Sequence, residues 1–216
     1  MNDYQIRNII FDLDGTLIDS SRDIMDCLKQ AYSMANVKEG LTISKKIMGP
    51  PIREMIKKIT PDLSDKDING IVQNFRSLYD NSDLHKTTAY EGVHDLLKSL
   101  KDNKRELFLI TNKPSLPTKK ILDTLKLNYF RDIVTYDLTG ADKGMMIRAL
   151  IEKWNLERPQ TVMVGDSTAD IIAAKDNNIL SVGILYGYSG EKDIMKAGPN
   201  FIAEDMESLR RILLSN

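Results

Sequence analysis

The chain has 216 residues, 42% of them hydrophobic and 28% charged, which is globular composition and excludes a disordered chain. Thirty basic and 31 acidic side chains leave a net charge of −1 with no long basic block, which argues against a nucleic-acid binder that works through phosphate electrostatics. Cys27 is the sole cysteine, so an internal disulfide and a cysteine-based zinc site are both ruled out, and a buried core thiol is the expectation.

No apolar run reaches the roughly 18 residues that a membrane helix needs. The start, Met1-Asn2-Asp3-Tyr4-Gln5, lacks the basic-then-apolar pattern of a signal peptide, so a soluble cytoplasmic protein is expected. Ile9, Ile10 and Phe11 then form a short apolar run that fits a buried strand. Asp12 and Asp14 follow where the run ends. Residues two apart in extended chain share a face, so both carboxylates are expected in one crevice. Gly15 permits a sharp exit. Two adjacent acids repel, and a divalent cation with oxygen preference, such as Mg²⁺, resolves the conflict. Alternatively, the second acid stays protonated and serves as a general acid.

The next stretch changes character. Ser20 or Ser21 is placed to cap a helix with Ile24, Leu28, Ala31, Tyr32 and Ala35 at helical spacing. Thr42 is placed to cap a second helix ending at Gly49, before Pro50 and Pro51. A third helix is expected from Ile52 to Ile59, and a fourth after Ser64 with Ile68, Ile71, Phe75 and Tyr79 along one side. Residues 18–83 thus read as an all-helical insertion, between two parts of a core formed by 1–17 and 84–216.

From Glu91 the rhythm is helix, strand, helix, strand. Expected helices run Val93–Leu100, Leu116–Leu125, Lys143–Trp154, Ala169–Asn177 and Glu207–Leu214. Expected strands run Leu107–Ile110, Ile133–Tyr136, Thr161–Val164 and Leu180–Ile184, with Phe201–Ala203 as a last edge strand. This alternation predicts an α/β fold: a Rossmann-like parallel sheet with helices on both faces.

Three further signals fall at the same end of that sheet. Thr111 and Asn112 follow a strand, where a hydroxyl and free N–H groups can hold anionic oxygens. Lys143 opens a helix, a position the macrodipole disfavours unless an anion or carboxylates offset it. Gly165-Asp166-Ser167-Thr168-Ala169-Asp170 places one acid at a strand end and another a helical turn later, suited to a cation.

Asp12-Leu13-Asp14-Gly15-Thr16 resembles the first signature of the haloacid dehalogenase superfamily. Thr111, Lys143, and Gly165-Asp166 with Asp170 resemble its second, third and fourth in chain order. The insertion resembles its helical cap. Thr111-Asn112-Lys113-Pro114, Gly187-Tyr188 and the loop Gly49-Pro50-Pro51 look most like the phosphoglycolate-phosphatase branch, although Lys143 is followed by Gly144-Met145-Met146 and Glu91 precedes Gly92 where that branch often has proline.

The resemblance implies a phosphatase acting on a small phosphorylated metabolite, and the charge and the lack of a long apolar run leave no nucleic-acid or membrane partner expected. It implies Asp12 as nucleophile and Asp14 as acid and base. It implies Mg²⁺ held by Asp12, the Asp14 carbonyl and Asp166, phosphate held by Thr111, Asn112 and Lys143, and Asp170 in support. Arg53, beside the cap loop, is the expected reader of the leaving group. Rival readings are a phosphoglucomutase-type transfer, a pyrophosphatase or a 5'-nucleotidase on the same fold, and a non-catalytic binding module. Asp14 argues against a true dehalogenase, and the length argues against a signalling phosphoacceptor domain.

Overall fold

The computed structural model describes residues 5–37 and 42–215. The reading of the chain start therefore lies outside the described residues except at Gln5. Six strands form one parallel sheet. They are β1 (Asn8–Phe11), β4 (Glu106–Thr111), β5 (Asp132–Thr135), β6 (Thr161–Gly165), β7 (Leu180–Ile184) and β8 (Phe201–Ala203), in the order β5-β4-β1-β6-β7-β8. The remaining two strands, β2 (Ile18–Asp19) and β3 (Thr88–Ala89), make a small antiparallel ribbon where the chain enters and leaves the insertion.

Period-two alternation explains the two-sided core. Ile9 and Phe11 of β1, Leu107 and Leu109 of β4, and Val162 and Val164 of β6 face one apolar cluster. Ile10, Phe108, Ile110 and Met163 face the other. Strands buried on both faces read as continuous apolar runs, which is why they were visible in the sequence. The second cluster is closed by Met146, Ile147, Leu150 and Ile151 of helix α7 (Lys143–Trp154) and by Ala173 and Ala174 of α8 (Thr168–Asp176). The first cluster is closed by α4 (Val93–Asp102) and α10 (Met206–Leu214). It runs on without a break into the insertion helices α1 (Ser21–Met34), α2 (Ile52–Ile59) and α3 (Asp65–Asn81). The chain also forms α5 (Ser115–Thr124), the short α6 (Tyr136–Thr139) and α9 (Glu191–Ala197).

Several expectations need correction. Ile18 and Asp19 are extended and pair with the returning chain, so the insertion has a strand at its root. The helix expected from Thr42 to Gly49 is a single 3₁₀ turn at Lys45–Ile47, flanked by extended Ser44 and Met48, and it buries none of its side chains, so no packing supports a longer helix. Tyr136 opens α6 instead of extending β5. Neither α9 nor the 3₁₀ turn at Arg158–Gln160 was legible: α9 buries Ile194 alone, and no periodic stripe announces it. Among the described residues, no helix is long and apolar enough to cross a membrane.

Candidate active site

The chain passes from β1 outward to β4 and β5, then returns across β1 to β6 and goes on to β7 and β8. Connections leaving β1 and β6 therefore diverge, and a crevice opens at their carboxyl ends, where α/β sheets place ligands. Asp12 follows β1, and its N–H is held by the Val164 carbonyl of β6 at 2.9 Å. Asp166 follows β6. Gly15 turns the chain away at φ +80, and a methyl there would overlap the Asp166 carboxylate.

Asp12, Asp166 and Asp170 are all buried, and they bring one carboxylate oxygen each to within 4.8 Å of one another. Asp170 is placed by the start of α8. Its amide bonds to the Ser167 side chain, while its own Oδ2 accepts from the Ser167 N–H at 3.1 Å and from Oγ at 2.5 Å, a reciprocal capping box. Its other oxygen accepts from the Lys143 ammonium at 2.5 Å, and the same ammonium lies 3.0 Å from Asp12 Oδ1. Lys143 stands in the first turn of α7, which Asp142 caps through the Met145 N–H. Two carboxylates thus offset the unfavourable dipole position of the lysine.

The Asp14 carboxyl takes no part in this cluster. It accepts from the Ser20 hydroxyl and lies 3.1 Å from the ammonium of Lys113. Lys113 is buried and also donates to the Tyr79 phenol oxygen at 2.7 Å. Thr111 is buried at the end of β4, and its hydroxyl accepts from the Lys113 N–H at 3.1 Å. The Asn112 amide donates to the Gly49 carbonyl at 3.0 Å, across to the insertion. Beside Asp14 a cavity of about 90 Å³ is lined by Asn112, Lys113, Tyr79 and Arg76 together with apolar side chains such as Met48 and Phe75.

Arg53 does not reach this cavity. It bonds to Asn69 and, at 2.5 Å, to Asp65, both on α3, so its guanidinium lies on the outer face of the insertion. The sequence reading missed Lys113, Tyr79, Ser20 and Tyr188. The Tyr188 N–H donates to Asp166 Oδ2 at 2.6 Å, and its hydroxyl accepts from the Ser20 N–H at 2.8 Å. Lys113 had a sequence signal, standing directly after Thr111-Asn112. Tyr188 also had one, in the pair Gly187-Tyr188, whereas Ser20 was read only as a helix cap and Tyr79 only as part of an apolar helix face.

Charge in the crevice is unbalanced. Four acids, Asp12, Asp14, Asp166 and Asp170, face two ammonium groups. Burial raises the Asp12 carboxyl well above the ordinary aspartate value, opposed by Lys143 and reinforced by the other three acids. Burial and then the Asp170 charge push Asp166 up to about 7, against the Tyr188 N–H and Lys143. Burial works against the Lys143 ammonium too, but Asp12 and Asp170 outweigh it and hold its pKa above the ordinary lysine value. Repelling, oxygen-only carboxylates with excess negative charge form a donor set for a hard divalent cation.

A family model for haloacid dehalogenase-like hydrolases matches residues 9–184. The chain is 30% identical to a phosphoglycolate phosphatase of Vibrio cholerae, with 97% of each chain covered. It is 26% identical to a 5'-nucleotidase of Pseudomonas aeruginosa over the full length of both. In structure it resembles a predicted phosphatase from Clostridium acetobutylicum, with a TM-score of 0.88, 29% identity, and 98% of this chain and 99% of that one covered.

Proposed function

The chain belongs to the haloacid dehalogenase-like hydrolase family, and from that premise we propose that it is a Mg²⁺-dependent phosphatase that cleaves a small phosphorylated metabolite through a phosphorylated Asp12. The observation that carries this reading is the convergence of Asp12, Asp166 and Asp170 on one point, with Lys143 bridging Asp12 and Asp170, at the carboxyl ends of β1 and β6.

Asp12 attacks phosphorus as a carboxylate, forming an aspartyl phosphate as the ester P–O bond breaks. Asp14 gives a proton to the leaving oxygen. It then takes one from the water that attacks the aspartyl phosphate, releasing phosphate and restoring Asp12. Lys143 holds the Asp12 carboxylate in place and balances charge on the transferring group. The Thr111 hydroxyl and Asn112 N–H receive phosphoryl oxygens. Asp12, Asp166 and the Asp14 carbonyl would hold Mg²⁺, with Asp170 keeping Lys143 in register. The ion would screen the nucleophile from the phosphate it attacks.

Residues 18–83 act as a cap on a core made of 1–17 and 84–216. The cavity beside Asp14 is lined by Arg76, Lys113 and Asn112 among apolar side chains, and the 30% identity to a phosphoglycolate phosphatase supports a small anionic ester as substrate.

The test is a panel of phosphoglycolate, sugar phosphates, nucleoside monophosphates and pyrophosphate, assayed for phosphate release with Mg²⁺ and with chelator. Mg²⁺-dependent release that is fastest from phosphoglycolate is expected. Nucleoside monophosphates as best substrates would favour a 5'-nucleotidase. Transfer between sugar phosphates without net release would favour a mutase, and turnover in chelator would overturn the metal assignment.

A further inference from the structure

We propose that Tyr79 and Lys113 are positioning residues that tie the docking of the helical insertion to the placement of Asp14. The inference rests on the reading of Asp14 as the acid and base.

Lys113 belongs to the core and follows β4 by two residues, yet both partners of its ammonium lie elsewhere: Asp14 at 3.1 Å and the Tyr79 oxygen at 2.7 Å. Tyr79 belongs to the insertion. Its ring stacks on Phe75 of the same helix at 5.2 Å, so packing inside the insertion sets where its oxygen stands. The next residue back repeats the crossing, since Asn112 donates to Gly49, in the loop of the insertion that precedes α2. Two consecutive core residues therefore hold the insertion at two separated points, α3 and the loop before α2.

An ammonium this deeply buried needs its partners, because a charge with too few of them draws in water or moves out toward it. If the insertion swings away, Tyr79 leaves and Lys113 keeps Asp14 alone. The lysine stem has four rotatable carbons, and nothing else among the described residues holds its head in register. Asp14 Oδ1 then loses the fixed ammonium that, with the Ser20 hydroxyl, orients it. With the insertion docked, Asp14 stands ready beside the leaving-group cavity, on whose wall Tyr79 and Lys113 also lie. Proton transfer is in this way confined to the closed arrangement, where solvent is excluded.

Tyr79→Phe removes one oxygen and keeps the ring stacked on Phe75, so it is the primary test. It is compared with wild type on two substrates: the best alkyl phosphate of the panel, whose leaving oxygen needs a proton, and 4-nitrophenyl phosphate, whose leaving group needs little. We expect kcat for the alkyl ester to fall about tenfold, the range for losing a hydrogen bond to a charged group. The fall for the aryl ester should be several times smaller, and KM should move less than kcat. Lys113→Met should show the same selectivity more deeply, and the double variant should be no worse than Lys113→Met alone, because the tyrosine acts through the lysine. Should Lys113→Met fail to fold, the substrate comparison in Tyr79→Phe decides by itself. Equal losses on both esters, no loss on the alkyl ester, or fully additive losses in the double variant overturn the positioning role while leaving the phosphatase reading intact. A wild type that hydrolyses neither ester overturns that reading, and this proposal with it.

Discussion

Asp12 and Asp14 are two residues apart, yet each faces a different ammonium group: Lys143 for the first and Lys113 for the second. That separation suits the different tasks proposed for them, and single substitutions should tell the tasks apart. Asp12→Ala should abolish turnover and leave no phosphoprotein. Asp14→Asn should lose on the order of 10²–10⁴-fold on an alkyl ester, the usual worth of acid–base catalysis. It should also accumulate an acid-stable phosphate label on the protein, because hydrolysis of the aspartyl phosphate lacks its base. Rapid acid quench with labelled substrate measures both, and equal damage without label would show that Asp14 is no proton shuttle.

Asp166 carries a second residue-scale prediction. Burial and then the Asp170 charge push its carboxyl up to about 7 from the ordinary 3.8. Between those values the folded state binds a proton that the unfolded chain has released, so this group's contribution to stability declines as pH rises through the window. Thermal melts in chelator should show this contribution to Tm falling from about pH 4 to about pH 7. Added Mg²⁺ must displace that proton, so its stabilisation should grow with pH and level off above about 7, where the proton is already gone. A Mg²⁺ shift that is the same at every pH would remove Asp166 from the metal site.

At the scale of elements, the site depends on how two strands end. The turn after β1 uses Gly15 at φ +80 and leaves no room for a side chain against Asp166. Gly15→Ala therefore strains the backbone and displaces a carboxylate at once. It should weaken Mg²⁺ binding in calorimetric titration by more than tenfold, while its stability cost in urea melts stays near 1–2 kcal/mol. Loss of stability with unchanged Mg²⁺ affinity would show that the turn and the carboxylate are independent. Helix α8 is the counterpart after β6. Its capping box holds Asp170 in the first turn, so one serine and one aspartate both start the helix and brace Lys143.

At the scale of the molecule, the insertion and the sheet share one continuous apolar cluster, and polar contacts cross between them at Lys113–Tyr79 and Asn112–Gly49. The cation expected to read the leaving group, Arg53, is occupied on the outer face by Asp65 and Asn69. Its ion pair is solvent-exposed, so Arg53→Ala should change stability by less than about 1 kcal/mol and leave KM for the best substrate unaltered. A raised KM would mean that Arg53 turns inward when substrate binds. Arg76, on the cavity wall, has no ion-pair partner within 4.0 Å among the described residues and is the stronger candidate for that contact.

The sequence alone determined the sheet and the acids at its carboxyl ends. Buried parallel strands are unbroken apolar runs, and Asp12, Asp14, Asp166 and Asp170 each stand within a few residues of such a run, so local pattern carries both. The 18–19/88–89 ribbon, α9 and the contacts of Lys113, Tyr79 and Tyr188 were settled only in three dimensions. Tyr79 meets Lys113 across 34 residues of chain, and Ser20 meets Tyr188 across 168. Contacts of that span have no period or motif. They exist because the insertion folds back onto the crevice, and which side chain of an exposed helix then faces inward is decided by packing, as the exchange of Arg53 for Tyr79 and Arg76 at the cavity wall shows.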